Sequence, residues 1–324
     1  MNLLNFLKQL EHSHVYIQTH NFPDADALGS AYGLARLLEH FNISSTLCYD
    51  GKIDALSTKR ILEEFEIQIQ PKEHLRQMTE KSQIILVDSQ KNAGNVTDLI
   101  GMEIACIDHH PTVVEIEYEY KDVRIVGACS TIIAQYFKQL NITPDSRTAT
   151  ALLYGIKMDT NQFTRGVTEA DIDMYAYLNP YADDSLLRRV SGNNMEFSDL
   201  SAFGAVFNTI RVFENIGIAY IPFSCPDAVI AMVSDFILSL NEVDFTVVYA
   251  KRDTGWKFSV RSEIDEMDAG EIIHEALLGI GNGGGHACMA GGLIPIEAIN
   301  ELGRSADTHI CDLILTTIGR LSKE

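Results

Sequence analysis

The sequence predicts an α/β protein: a doubly wound, mostly parallel sheet followed by a smaller α+β domain. Three observations predict it. Short β-like runs alternate with helical stretches over the first 190 residues. Two of those runs, 83–87 and 103–107, are almost unbroken apolar segments, as in strands buried on both faces. Near residue 195 the rhythm changes, and strands begin to follow one another as hairpins.

In order along the chain, residues 15–19 read as the first strand. A helix follows from about Ala27, where Ala27, Ala31, Leu34, Ala35 and Leu38 recur at helical spacing. Residues 45–49, 83–87, 103–107 and 123–126 read as further strands, and 130–140 and 146–158 as helices. In the second half, 197–215 reads as one long helix. A strand (218–223), a helix (227–240) and two strands (245–251 and 256–261) come next, with Asp253-Thr254-Gly255 as the hairpin turn. A helix at 269–278, a glycine-rich loop and a helix after Pro295 complete the chain. The expected boundaries are a first domain at 1–190, a helical linker at 191–204 and a second domain at 205–324.

The 324 residues suffice for two cores, and 46% hydrophobic with 22% charged residues is an ordinary globular balance. With 25 basic against 45 acidic residues, the formal net charge is −20. A grip on long nucleic acid calls for a basic face, so this balance weighs against a processive nuclease. A small phosphorylated ligand fits better, because one Arg and a few backbone N–H groups can hold it. Cys48, Cys106, Cys129, Cys225, Cys288 and Cys311 form no CxxC pair and read as reduced, buried thiols. No apolar stretch reaches the ~18 residues of a membrane span. The first eight residues lack a basic n-region and a cleavage pattern. A cytoplasmic protein that contacts no membrane is the expectation.

Chemistry gathers just past the ends of the predicted strands. His20 and Asp24-Ala25-Asp26 follow the first, Asp88 follows 83–87, and Asp108-His109-His110 follows 103–107. In an open α/β sheet that edge binds ligands. Asp159 ends the helix at 146–158. Each motif alone has a plain structural reading. Asp24 and Asp26 can cap a helix, Asp88 can open a loop, and two adjacent histidines can be a surface pair. Their convergence changes the balance. Two like charges ~4 Å apart at an effective dielectric of ~20 repel by about 4 kcal/mol. A pair of divalent cations removes that cost. Mixed Asp/His ligation suits Mn2+, Zn2+ or Fe2+ rather than Ca2+. Two such ions ~3.5–4 Å apart can share a hydroxide and clamp a phosphate for in-line attack.

Four segments together resemble the motifs of the DHH phosphoesterases: His20-x-x-Pro23-Asp24-Ala25-Asp26-Ala27-x-Gly29-Ser30, Val87-Asp88-Ser89, Asp108-His109-His110-Pro111 and Gly155-Ile156-x-x-Asp159-Thr160. Cys129-Ser130-Thr131, opening a helix, is similar to the family too. The resemblance implies one metal held by His20, Asp24 and Asp88, and another by Asp26, Asp88, His109 and Asp159, with Asp88 shared. It implies Mn2+ as the usual metal. It also implies that Asp108 orients a ligating histidine and that His110 faces the substrate, placing a phosphate or protonating the leaving oxygen.

The second half resembles the DHHA-type domain that accompanies this family. Gly283, Gly284, Gly285 and His286, followed by Ala290-Gly291-Gly292, look like its substrate loop. Ser259-Val260-Arg261-Ser262 looks like its other substrate motif. Glycines let backbone N–H groups approach a phosphate, and Arg261 can bind one bidentately. A dinucleotide-fold reading of the same glycines requires a preceding strand, and a helix precedes them. A purely structural glycine turn stays open on the residues alone.

The resemblance implies small nucleotide substrates: short single-stranded oligoribonucleotides, 3′-phosphoadenosine 5′-phosphate (pAp), and linear or cyclic dinucleotides such as cyclic di-AMP. Two-domain nanoRNases and pAp phosphatases often carry Asp-Thr-Gly-Arg at the fourth motif. Here Asp159-Thr160-Asn161-Gln162 stands there, with Arg165 beyond, so the departure touches substrate choice and not the ligands. The expected mechanism is attack on phosphorus by a hydroxide shared between the metals, with His110 aiding departure and the second domain closing over the cleft. Two other readings fit the scaffold: a non-catalytic nucleotide-binding or sensor protein, and a single-strand-specific exonuclease. Long duplex nucleic acid is not an expected partner. A homodimer is compatible with the chain, although no segment demands one.

Overall fold

The computed structural model describes residues 1–53, 55–112, 114–192 and 195–321. Two compact units divide the chain after residue 194. Asn193 and Asn194, in the expected linker, lie outside the described residues.

The first unit runs α1 (Leu3–Gln9), β1 (His14–Gln18), α2 (Ala25–Glu39), β2 (Ser44–Tyr49), α3 (Leu56–Glu64), β3 (Ile69–Pro71), β4 (Gln83–Val87), β5 (Met102–Asp108) and β6 (Tyr120–Val123). The helices α4 (Cys129–Gln139), α5 (Ser146–Asp159), α6 (Glu169–Leu178) and α7 (Asp184–Ser191) complete it. Its six strands pair in the order β3-β2-β1-β4-β5-β6, all parallel. The chain winds outward one way from β1 and the other way from β4. The β1–β4 boundary is therefore the switch point, where an open sheet leaves a crevice at its carboxyl edge.

The two faces of this sheet are covered differently. Val15, Ile17, Ile85, Val87 and Ile107 pack against the buried sides of the helices in one core. Tyr16, Cys48, Ile84 and Leu86 point the opposite way, and Met78 and Leu99 from connecting segments cover them. Right-handed crossovers explain this. The connections after β4 and β5 must cross the second face, and among the described residues they carry no helix.

The expected strand at 123–126 forms three residues earlier, as β6. Ile125 is exposed, and the Val126 carbonyl turns toward a histidine instead of a neighbouring strand.

The second unit runs α8 (Leu200–Thr209), β7 (Arg211–Phe213), β8 (Ile216–Ile221), α9 (Asp227–Leu238), β9 (Phe245–Arg252), β10 (Gly255–Ser262), α10 (Ala269–Leu277), β11 (Asn282–His286), β12 (Met289–Pro295), α11 (Ile296–Leu302) and α12 (Ala306–Leu321). The sheet order is β11-β12-β10-β9-β8-β7; β8 and β9 are parallel, and the other neighbours antiparallel. Alternate strand residues feed two cores. Ala219, Ile221, Val248 and Ala250 meet α8 and α9, while Ile218, Val247, Phe258 and Val260 meet α10 and α12.

Two expectations are corrected here. The long helix at 197–215 is a 3-10 turn (Phe197–Asp199), then α8, then β7. The Thr209 hydroxyl bonds the Tyr220 carbonyl, and Ile210 adopts extended backbone, which starts the hairpin. The glycine-rich loop is the edge strand β11, antiparallel to β12. All six cysteines are free thiols, and five are buried. No helix among the described residues is long and apolar enough to cross a membrane.

Two glycines let α2 lie close against its neighbours. A Cβ at Gly29 would come within 2.8 Å of the Ala151 carbonyl oxygen of α5, and one at Gly33 within 2.7 Å of Leu152 Cδ2. Backbone oxygen has nowhere to yield. Gly29→Ala should therefore cost about 1–3 kcal/mol despite its better helix propensity. A urea midpoint equal to or above that of the native chain would refute this packing constraint.

Candidate active site

The carboxyl ends of β1, β4 and β5 bring the predicted acidic and imidazole residues into one crevice. Asp24 is the N-cap of α2; its Oδ1 accepts from the backbone N–H groups of Asp26 (2.9 Å) and Ala27 (3.0 Å). The capping reading thus holds for Asp24. Asp26 lies inside the helix, buried, and reaches across to α4. Its carboxylate accepts from the N–H groups of Cys129 (2.6 Å) and Ser130 (2.8 Å), the first residues of that helix. A helix N-terminus is a natural seat for a carboxylate. Gly155 of α5 keeps the approach open, because a Cβ there would strike Ser130 and Asp26.

Asp88 follows β4 at a left-handed φ of 57°. Asp tolerates that conformation better than most residues, and strain of this kind gathers at functional positions. His109 lies 3.2 Å through Nε2 from both Asp88 Oδ1 and Asp159 Oδ2, and 4.0 Å from Asp26 Oδ2. His20 Nε2 is 3.6 Å from Asp88 Oδ2 and 4.0 Å from Asp24 Oδ1. Three sets of possible ligand atoms emerge: Asp88, Asp108, His109 and His110; His20, Asp24 and Asp88; and Asp26, His109 and Asp159. The last two hold the residues that the sequence resemblance implies as ligands. Asp88 touches both through its separate oxygens.

A metal pair fits these residues on two grounds. First, Asp88 Oδ1 and His109 Nε2 are buried without a hydrogen-bond partner among the described residues. Buried polar atoms are rarely left so. The carbonyl of Val126 can only accept, so His109 Nδ1 donates to it (3.0 Å), and a neutral ring then presents Nε2 as a bare lone pair. Second, the carboxylates repel one another. Asp26 is pushed well up by burial and by Asp88 and Asp159. Asp159 is raised to about 6 by burial and by Asp24 and Asp88. Burial would lift Asp88 too, but His109 and His20 hold it well below the usual carboxylate range.

The third motif divides its labour. Asp108 holds the ring of one histidine and the backbone of the other. Its Oδ1 takes the Nδ1 of His110 (2.9 Å) and the backbone N–H of His109 (2.8 Å). Gln90, buried and absent from the sequence-derived site, donates to Asp108 Oδ2 (2.7 Å) and to the His110 carbonyl (3.0 Å). His110 is raised by its bond to Asp108. Only the position of Gln90, two residues past Asp88, could have flagged it. At the fourth motif Asn161, Gln162 and Phe163 all take left-handed backbone. Asn161 thus adopts a conformation glycine favours.

The residues expected to bind substrate lie in the second unit. Arg261 pairs across the sheet with Met289, and Met289 with His286, so the three share one cross-strand row. The Ser262 N–H bonds the Cys288 carbonyl beside it. Arg261 is nearly buried; its Nε contacts Asp235 Oδ1 (2.7 Å) and its Nη1 contacts Ser259 Oγ and the Val260 carbonyl (3.0 Å each). Either bidentate edge of the guanidinium therefore includes an engaged nitrogen. Two-point phosphate binding requires Arg261 to leave one of these partners.

Comparison with known proteins agrees with this architecture. A model of the DHH family, N-terminal domain, matches residues 14–156, and a DHHA1 domain model matches residues 214–310. An uncharacterised protein of Methanocaldococcus jannaschii is 30% identical over 316 residues, covering 95% of this chain and 65% of that protein. The cyclic-di-AMP phosphodiesterase GdpP of Bacillus subtilis is 26% identical over 327 residues, 92% of this chain and 48% of its own length. The chain thus spans between about half and two thirds of these relatives. The crystal structure of an exopolyphosphatase-related protein from Bacteroides fragilis superposes with a TM-score of 0.76 at 17% identity, over 96% of each chain. That last likeness is one of fold.

The charge cluster makes a pH prediction for protein held in chelator. Burial would lower both histidines, but contacts with Asp88 and the other carboxylates raise His20 to about 9 and His109 to about 11. Both lie above the ordinary 6.5. The stability they contribute is full below pH 6.5 and is lost as pH rises through 9 and then 11. The melting temperature in EDTA should fall as pH rises from neutral, and His109→Gln should flatten the slope. A flat native profile over that range would contradict the assignment.

Proposed function

This chain belongs to the DHH phosphoesterase family, and on that premise we propose that it hydrolyses phosphodiester bonds of small nucleotides, with dinucleotides foremost. The observation that carries the proposal is Asp88. One buried carboxylate presents a separate oxygen to each of two ligand sets at the sheet's switch point. His20, Asp24 and Asp88 would hold one divalent ion; Asp26, Asp88, His109 and Asp159 would hold the other. The mixed Asp/His donor set suits Mn2+, Zn2+ or Fe2+, and the family resemblance favours Mn2+ among them. When bound, such a pair supplies a water of lowered pKa and neutralises charge on a phosphoryl group.

The protein's own groups then have separable tasks. The N-terminus of α4 keeps Asp26 fixed. The Val126 carbonyl keeps Nδ1 of His109 as the donor and Nε2 as the ligand. Asp108 holds the Nδ1 proton of His110, so that ring exchanges its second proton at Nε2, which suits a general acid for the leaving oxygen. Gln90 steadies Asp108 in that role. In the second unit, Arg261, Ser262 and the β11 backbone from Gly283 to His286 would bind the nucleotide, with Arg261 exchanging Asp235 for phosphate. The excess of acidic residues and the resemblance to a cyclic-di-AMP phosphodiesterase support a small substrate over a long polymer.

The test is a substrate panel with Mn2+: cyclic di-AMP, pApA, pAp, and tri- to pentaribonucleotides, compared by kcat/KM. The highest value should fall on a dinucleotide, and EDTA should abolish turnover. Asp88→Ala should reduce every activity to background while circular dichroism stays native. Retained turnover in that variant would sink the shared-carboxylate reading. Arg261→Ala should raise KM about 10-fold, with kcat little changed, as expected for one charged phosphate contact. An equal fall in kcat would instead place Arg261 in the chemical step.

A further inference from the structure

We propose that Asp171 is a positioning residue for the Asp26–His109–Asp159 cluster, which it braces from behind through one peptide group and one helical turn. Asp171 lies on α6, its side chain fully buried, and forms none of the ligand sets. Its Oδ2 accepts the Gly127 N–H (2.9 Å) and both the N–H and the hydroxyl of Thr168 (2.7 Å each). Its Oδ1 accepts the Thr131 hydroxyl (2.6 Å). A buried carboxylate this fully satisfied has a fixed orientation.

Two of these bonds lead to the cluster. The Gly127 N–H belongs to the same peptide group as the Val126 carbonyl. That group is gripped at one pole by Asp171 and at the other by His109 Nδ1, at 3.0 Å. Carboxylate, amide and imidazole form one polarised chain, which aims the His109 ring and sets its tautomer. Thr131 belongs to the first turn of α4, whose N–H groups hold Asp26. Gly127 adds a third link. A Cβ there would lie 2.6 Å from Thr160 Cγ2 and 2.7 Å from Asp171 Oδ2, so only glycine lets this peptide fit between Asp171 and the residue after Asp159. Among the described residues, His20 and Asp24 have no such tie; they sit at the end of β1 and the start of α2.

This inference rests on the two-ion reading above, and it is asymmetric: Asp171 should matter for one ion and not the other. The experiment is calorimetric titration of Mn2+ into full-length, chelator-stripped protein without substrate. Asp171→Asn removes the negative charge and leaves one acceptor oxygen where Gly127, Thr168 and Thr131 use two. Thr131→Val removes only the Oδ1 partner, and Thr131→Ser retains it. The native chain should bind two ions. Asp171→Asn should bind one with native affinity and the other about 10–100-fold more weakly. Thr131→Val should weaken the same ion, and Thr131→Ser should restore it. Should Asp171→Asn fail to fold by circular dichroism, the Thr131 pair decides. Native affinity for both ions in the folded variants, or an equal loss of both, overturns the positioning role. Fewer than two ions in the native chain overturns the two-ion reading, and this proposal with it.

Discussion

Like charge crowded into a narrow crevice is the constraint around which the first unit is built. Asp24, Asp26, Asp88 and Asp159 approach two imidazoles at the carboxyl edge of β1, β4 and β5. Each like-charged pair at ~4 Å costs about 4 kcal/mol at an effective dielectric of ~20. The fold meets that cost with aligned backbone dipoles. The first turn of α2 takes Asp24, and the first turn of α4 takes Asp26. The close contacts at Gly29, against α5, and at Gly155, against Ser130 and Asp26, follow from bringing those helix ends together over the sheet.

Much of this was legible in the sequence, for a physical reason. Strands buried on both faces write nearly continuous apolar runs, so 83–87 and 103–107 announced themselves. Ligands at a switch point must follow strands directly, so His20, Asp88 and His109 could be placed at one edge. The partners that orient them were harder to read. Val126 acts through its carbonyl, which no side-chain pattern encodes. Gln90 and Asp171 are single polar residues whose burial only tertiary packing reveals. Asp108 was legible as a helper, but its partner was not, because adjacent histidines in a sequence do not say which ring turns inward.

The second unit was less legible, and glycine is the reason. Gly283, Gly284 and Gly285 have no side chain to alternate, so period-two patterning vanishes and a strand reads as a loop. The same lack of side chains suits an edge strand that presents its backbone. The stretch 197–215 misled in the opposite direction. Its apolar residues fit helical spacing throughout, yet the helix ends at β-branched Thr209, and Ile210 opens the extended segment. Arg261 illustrates a third limit. Its identity suggests a phosphate ligand, while its surroundings already occupy Nε and Nη1.

Asp24 serves two ends with one carboxyl group. Its Oδ1 closes the first turn of α2 and also lies 4.0 Å from His20 Nε2 in the crevice. Evolution therefore cannot discard the acid without also loosening the helix, unless the replacement preserves the cap. Asn and Ser are the residues that do so, since both accept from the same backbone N–H groups without carrying charge. A descendant that gave up chemistry but kept its fold would drift along that route first. An Asn or Ser at this one position, in an otherwise intact relative, would be the fossil of a retired enzyme.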